Sequence, residues 1–194
     1  MAALTRLRQL CCDPALVYEG YADGSAKTDG CLELIESSLE SGHRLLLFSQ
    51  FTSMLERLAQ ALDCRRISYF RLEGSTPPTK RLAMVNEFNA GAAQVFLISL
   101  KAGGTGLNLT GADMVIHYDP WWNLSAQNQA TDRAHRIGQT QKVQVYQLIV
   151  RGTVEEKILD MQKRKAALAE AVIQKGGDGF SVLSREELMG LLEG

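Results

Sequence analysis

Hydrophobic and polar positions along the chain fall into two patterns that alternate. Arg44 to Ser49 (Arg-Leu-Leu-Leu-Phe-Ser) is a continuous apolar run, the pattern of a strand covered on both faces. Thr52 to Leu62 then carries Met54, Leu55, Leu58, Ala61 and Leu62 at helical spacing. Ile67 to Leu72, Gln94 to Leu100, Asp113 to Tyr118 and Val143 to Val150 read as further strands. Between and after them, helices are predicted from Pro77-Pro78 to Phe88, from Ser125 to Ile137 and from Thr153 to Gln174. Prolines at a helix start cost little, because the first amides have no partner anyway. Thr153 with Glu156 spells a capping box, and Gly138 stands where a left-handed C-terminal cap would end the preceding helix. Strand and helix in alternation predict an α/β fold, a parallel sheet with helices on both faces.

The ends read differently. Thr5 to Cys12 and Asp29 to Leu39 are predicted helices, separated by a linker around Tyr21 to Asp29. Gly176-Gly177-Asp178-Gly179 breaks the chain before a short acidic helix, Ser184 to Leu192. The expected organisation is a leading helix and linker (1–29), a sheet lobe (30–152), and a long helix with a C-terminal helix (153–194). The terminal helices are appendages to the sheet.

The 194 residues are 45% hydrophobic and carry a formal net charge of −1. That composition excludes disorder as the dominant state and a polybasic binder working by bulk charge. No apolar run approaches a membrane span and no secretory signal follows Met1, so a soluble, intracellular protein is expected. Cys11, Cys12, Cys31 and Cys64 form no Cys-x-x-Cys pair. They are expected to be buried thiols, with no metal site.

Two segments carry candidate chemistry. After Asp119-Pro120-Trp121-Trp122-Asn123, the residues Gln129, Asp132, Arg133 and Arg136 lie at i, i+3, i+4 and i+7 and share one helix face. Ala126, Ala130, Ala134 and Ile137 share the opposite face. Two guanidinium forks on a rigid helix suit phosphate oxygens. A solvated face with an Asp132–Arg136 ion pair is the alternative. The second segment, Ser99 to Asn108, follows a strand and contains Gly103, Gly104 and Gly106, which permit close approach of backbone amides to an anion. A dinucleotide fingerprint is excluded, because Leu109 stands where its third glycine belongs. The chain contains no Gly-Lys and no Asp-Glu dipeptide, hence neither a P-loop lysine nor the acidic pair that holds magnesium beside it. Outward arginines without a nucleotide cradle point to a half-site acting in trans.

The run from Asp119 to Asn123, followed by Gln129-Ala130-Thr131-Asp132-Arg133-Ala134-His135-Arg136-Ile137-Gly138-Gln139, closely resembles the sixth helicase motif of SWI/SNF-type ATPases of helicase superfamily two. Lys101 to Asn108 looks like their fifth motif, and Leu45 to Phe51 like their fourth. Leu72-Glu73-Gly74-Ser75-Thr76 and Leu7 to Val17 resemble neighbouring segments of the same lobe. Leu124 departs from the family's usual proline, and Asn108 stands where related helicases often carry aspartate.

The resemblance implies the second RecA-like lobe of a double-stranded-DNA translocase. Its first lobe would bind most of ATP and Mg2+. Arg133 and Arg136 would act as arginine fingers, with Gln129 nearby and Asp132 orienting the guanidiniums. Gly106 and Asn108 would approach ribose and phosphates. Gln50, Ser75, Ser99 and Lys101 would face the DNA backbone. Trp121 and Trp122 would pack the helix against the sheet, and the helix from Thr153 resembles the family's bracing helix. Expected partners are duplex DNA and the first lobe, without a membrane. The expected location is bacterial cytoplasm at the nucleoid, or the nucleus if the source is eukaryotic. The competing reading is a non-catalytic module whose basic stripe docks an acidic partner. A Rossmann-type cofactor enzyme is a third and weaker reading.

Overall fold

Five strands form one parallel sheet: β1 (Leu45–Ser49), β2 (Tyr69–Leu72), β3 (Val95–Ser99), β4 (Met114–His117) and β5 (Gln144–Gln147). Their order is β2-β3-β1-β4-β5. The computed structural model describes residues 2–103, 107–132 and 142–173. Within these, the helices are α1 (Ala2–Cys12), α2 (Ala26–Glu40), α3 (Thr52–Cys64), α4 (Pro78–Asn89), α5 (Leu100–Gly103), α6 (Leu124–Thr131) and α7 (Val154–Ile173).

The central strands β1, β3 and β4 are buried at every position, as the unbroken apolar runs require when both faces are covered. Alternate residues serve opposite layers. Leu46, Phe48, Phe96, Ile98 and Val115 pack with Met84, Val85 and Phe88 of α4 and Ala130 of α6. Leu45, Leu47, Val95, Leu97, Met114 and Ile116 pack with α2 and α3, through Leu32, Ile35, Met54, Leu55 and Leu58. Leu4 of α1 joins Val154, Ile158 and Met161 of α7 in a third, small cluster. The two terminal helices thus pack on each other.

Several boundaries differ from the sequence expectation. The linker ends before Asp29, because Ser25 caps α2: its hydroxyl accepts from Thr28 N at 3.4 Å and donates to the Cys12 carbonyl at 3.1 Å. The last strand is not Val143 to Val150; only Gln144–Gln147 pair, since β4 offers just four residues. At the start of α7, Thr153 Oγ1 accepts from Glu155 N and the Glu156 carboxylate accepts from Gly152 N at 2.7 Å. This is a shifted form of the expected box. Burial pushes the Cys31 thiol up to about 12 and Cys12 well above its usual value. Cys64, however, is exposed and Cys11 half-buried, as Cys64 lies past Leu62, where the apolar face of α3 ends. The Gly138 cap and the helix expected at Ser184 to Leu192 lie outside the described residues.

Gly111 sets the return from β3 to β4. Its N–H donates to Asn89 Oδ1 at 2.9 Å, and a Cβ there would lie 2.9 Å from both Asn89 Cα and Arg44 Nη1. Backbone blocks one of these contacts, so Gly111→Ala is expected to destabilise by about 1–3 kcal/mol. Urea unfolding midpoints of the two proteins check this.

Candidate functional site

The strands end together. Register aligns Leu72 with Ile98, Phe48 with Ile98 and His117, and His117 with Gln147. One edge of the sheet therefore gathers the segments leaving β1 (Gln50), β2 (Glu73 to Thr76), β3 (Leu100 onward), β4 (Tyr118 to Asn123) and β5. The chain leaves β1 toward β2 and leaves β4 toward β5, on opposite sides. Neighbouring connections diverge between β1 and β4, the place where open α/β sheets form a crevice.

Arg8 of α1 fills that crevice. The residue is 2% exposed. Its Nη1 donates to Gln50 Oε1 at 2.7 Å and its Nη2 to the Pro120 carbonyl at 2.5 Å. Asp119 Oδ2 lies 3.6 Å away. Above the guanidinium sit Trp122 at 4.6 Å, Phe51 at 5.6 Å and Trp121 at 5.9 Å, and the two indoles stack at 5.2 Å. Asp119, itself buried, accepts from Ser49 Oγ at 2.5 Å and from the Gln50 amide. Burial raises its pKa, opposed by the Ser49 hydroxyl and by Arg8. A charge taken this far from water persists only when paired and hydrogen-bonded.

A second buried pair lies behind the first. Lys27 Nζ donates to both Glu155 oxygens, at 2.6 and 2.7 Å. Glu155 also accepts from Val150 N. The pair joins the start of α2 to the start of α7.

Helix α6 leaves this edge with one face inward and one outward. Ala130 is buried, whereas Gln129 and Asp132 are exposed, so the described part of the polar stripe does face out. Gln127 is buried: its Oε1 accepts from Trp121 N and from Gln162 Nε2 of α7. Gln162 also bonds the Trp121 carbonyl. His117, at the end of β4, lies flat against Phe48 at 5.5 Å and 2.9 Å from Thr131 Oγ1. Thr131 Oγ1 donates to the Gln127 carbonyl, so it accepts from Nε2–H and leaves His117 Nδ1 as a bare acceptor without a partner.

The structure places the sequence candidates unevenly. Lys101 and Ser75 are exposed at the strand exits. Arg81 supports the Ser75 turn by donating to the carbonyls of Thr76 at 2.7 Å and Gly74 at 2.8 Å. Ser99 is turned inward, 3% exposed, with its hydroxyl accepting from Ala102 N. Gln50 is also turned inward, onto Arg8, and its Nε2 is buried with no partner among the described residues. Asn108 is drawn away from the strand exits: its carbonyl accepts from Asn89 Nδ2 at the far end of α4. Trp121 borders the sheet, but Trp122 packs on the α1–α7 cluster instead. Gly106, Arg133 and Arg136 lie outside the described residues.

Arg8, Gln127, Gln162 and the Lys27–Glu155 pair were not singled out by sequence reasoning. Arg8 stands at i+4 from Leu4 in a short helix and reads as one more surface cation. The polar residues of Asp119-Pro120-Trp121-Trp122 carried the only hint that something must satisfy them.

A family described as the helicase conserved C-terminal domain matches residues 26–138. An uncharacterised ATP-dependent helicase of Mycoplasma pneumoniae is 39% identical over 194 residues, covering 100% of this chain and 19% of that protein. The human chromatin-remodeling ATPase INO80 is 44% identical over 163 residues, covering 83% of this chain and 10% of its own. The chain thus spans about a fifth or less of the length of these relatives. Among solved structures, the SWI2/SNF2 ATPase core domain of Sulfolobus solfataricus superposes with a TM-score of 0.77 at 33% identity, over 98% of this chain and 39% of that one. The C-terminal part of the Fun30 ATPase domain gives 0.70 at 30% identity, over 94% and 56%.

Burial lowers the His117 pKa from 6.5 to about 4. Between those values the unfolded chain binds the proton that the native site refuses. Stability is therefore lost as pH falls from 6.5 toward 4, by about 3 kcal/mol from this residue. His117→Met should remove that component, leaving a flatter stability–pH curve over the window in urea titrations.

Proposed function

We propose that this chain, which belongs to the helicase conserved C-terminal domain family and to its SWI/SNF-type branch, is the second RecA-like motor lobe of an ATP-dependent duplex-DNA translocase. The observation that carries the reading is the arrangement of one sheet edge. Parallel strand exits display Lys101 and Ser75, α6 turns Gln129 outward, and Asp132, just past its end and directly before Arg133, is exposed. ATP would lie against that face, with most of its cradle and its Mg2+ supplied by a first lobe. The ion is assigned to that other lobe because this chain has no P-loop lysine and no Asp-Glu pair of the kind that holds magnesium beside one.

In this reading Arg133 and Arg136 stabilise charge that develops on the transferred phosphoryl group, work that needs positioned guanidinium forks and no covalent chemistry. Asp132 orients the forks, Gln129 flanks them, and Gly106 allows close backbone approach. Asn108, held against α4, fixes the far end of that loop. On the DNA side, Lys101 and the Ser75 turn meet backbone phosphates, which position a protein without reading sequence. Gln50 and Ser99, turned inward, shape that edge from within. The bracing role of α7 rests on its packing against α1 and on the bonds its Glu155 and Gln162 make to Lys27, Trp121 and Gln127. Among the described residues no helix is long and apolar enough to cross a membrane. A chromosomal setting, bacterial nucleoid or nucleus, suits a protein whose relatives include a Mycoplasma helicase and a human remodeller.

Three outcomes test this. The 194-residue chain alone is expected to hydrolyse no ATP above background, with or without duplex DNA; measurable turnover by pure chain would refute the half-site. In the full-length protein, Arg136→Lys should reduce duplex-stimulated hydrolysis by about 10³-fold or more while leaving ATP affinity intact, since lysine keeps the charge but loses the fork. Lys101→Ala should weaken duplex binding evenly across sequences and lower the slope of log affinity against log salt by about one. A change of sequence preference would instead mean that Lys101 reads bases.

A further inference from the structure

We propose that Arg8 is the positioning residue for the helix that carries the outward stripe. The inference rests on the functional reading above and gives a role to one residue of the Leu7 to Val17 segment. Arg8 lies in α1, more than a hundred residues before α6, yet it touches the segments that leave β1 and β4, the latter leading directly into α6. One guanidinium nitrogen holds Gln50 at the β1 exit and another holds the Pro120 carbonyl after β4, at 2.7 and 2.5 Å. Its planar face lies under Trp122 at 4.6 Å, and Trp122 stacks on Trp121. The Trp121 N–H then donates to Gln127 Oε1 inside α6. The Arg8–Pro120 bond is buried and the other links are partly so, and the series ends five residues before Asp132.

The alternative is that Arg8 only fills space between α1 and the sheet. Its chemistry argues otherwise. An arginine that merely packed would trade well for a hydrophobic side chain of like volume, since a buried charge is costly to maintain. Here the planar fork is what spans Gln50 and Pro120, and a single ammonium on a flexible stem cannot hold both directions and the indole face at once. Among the described residues Arg8 Nε has no partner although it is buried, a cost accepted at one atom while the other two nitrogens are fixed. Gln50 Nε2 is orphaned in the same way. The cluster is therefore arranged around the direction of the guanidinium rather than around maximal hydrogen bonding.

The role predicts a loss of turnover that stability does not explain. A small misplacement of reacting groups can cost about a hundredfold in rate. In the full-length protein, Arg8→Lys should lower duplex-stimulated kcat about tenfold or more with KM for ATP within about twofold, assayed well below the melting temperature. In the 194-residue chain, whose only tryptophans are Trp121 and Trp122, the same substitution should red-shift emission and raise acrylamide quenching.

Wild-type kcat in Arg8→Lys overturns the positioning role, even if the fluorescence changes. A full-length wild-type protein that hydrolyses no ATP overturns the functional reading and this role with it, so the two failures are distinct. Should Arg8→Lys not fold, Trp122→Phe keeps the charge buried and narrows the face over it. A fall in kcat of about threefold at unchanged KM supports the role, and wild-type kcat overturns it.

Discussion

A guanidinium buried at the crevice between β1 and β4 is the constraint on which the rest of this edge depends. The parallel sheet supplies hydrophobic burial on both faces, but the strand exits leave backbone and side-chain polar groups that water cannot reach. Asp119, Gln50 and the Pro120 carbonyl are such groups, and Arg8 answers all three. Removing one partner of such a cluster costs far more than its net contribution, because it strands the others without water. The Trp121–Trp122 pair, the start of α6 and the placement of α1 are consequences of that single requirement.

Electrostatics on the two sides of the sheet edge are organised oppositely. Inside, charges are paired and dry: Arg8 with Asp119, Lys27 with Glu155. Outside, Lys101, Gln129 and Asp132 are solvated and free to meet a charged partner. Each buried pair is neutral, so the net charge of −1 is carried by the exposed side chains.

The sheet was legible in the sequence because parallel strands are continuous apolar runs and their helices keep a 3.6-residue period. Leu45 to Ser49 and Thr52 to Cys64 were readable to within two residues for that reason. The family and the order of its motifs were legible too, in Trp121-Trp122-Asn123 and the stripe after it. Side-chain direction was not. Gln50 and Ser99 share a motif position with surface residues, yet both point inward, because each stands next to a buried polar group that needs a partner. Asn108 could not be placed from spacing, since its position is set by Asn89, a contact nineteen residues away. Arg8 was hidden for a related reason: a charge is read as surface unless its distant partners are known.

One feature of the sheet bears on how the molecule opens. Among the described residues strand β5 pairs on one side only, with β4, and its Val145 and Tyr146 are 47% and 36% exposed. At the centre of the sheet, β1 is flanked by β3 and β4 and is wholly buried. Cooperative opening is least costly where few apolar contacts are lost, so amide protons of Gln144 to Gln147 should exchange with solvent well before those of Leu45 to Ser49. The ladder would fray from β5 inward, and its first break would fall beside Glu155 and the base of α7. The strand that is easiest to release is thus the one that leads into the longest helix, which gives that helix a natural hinge.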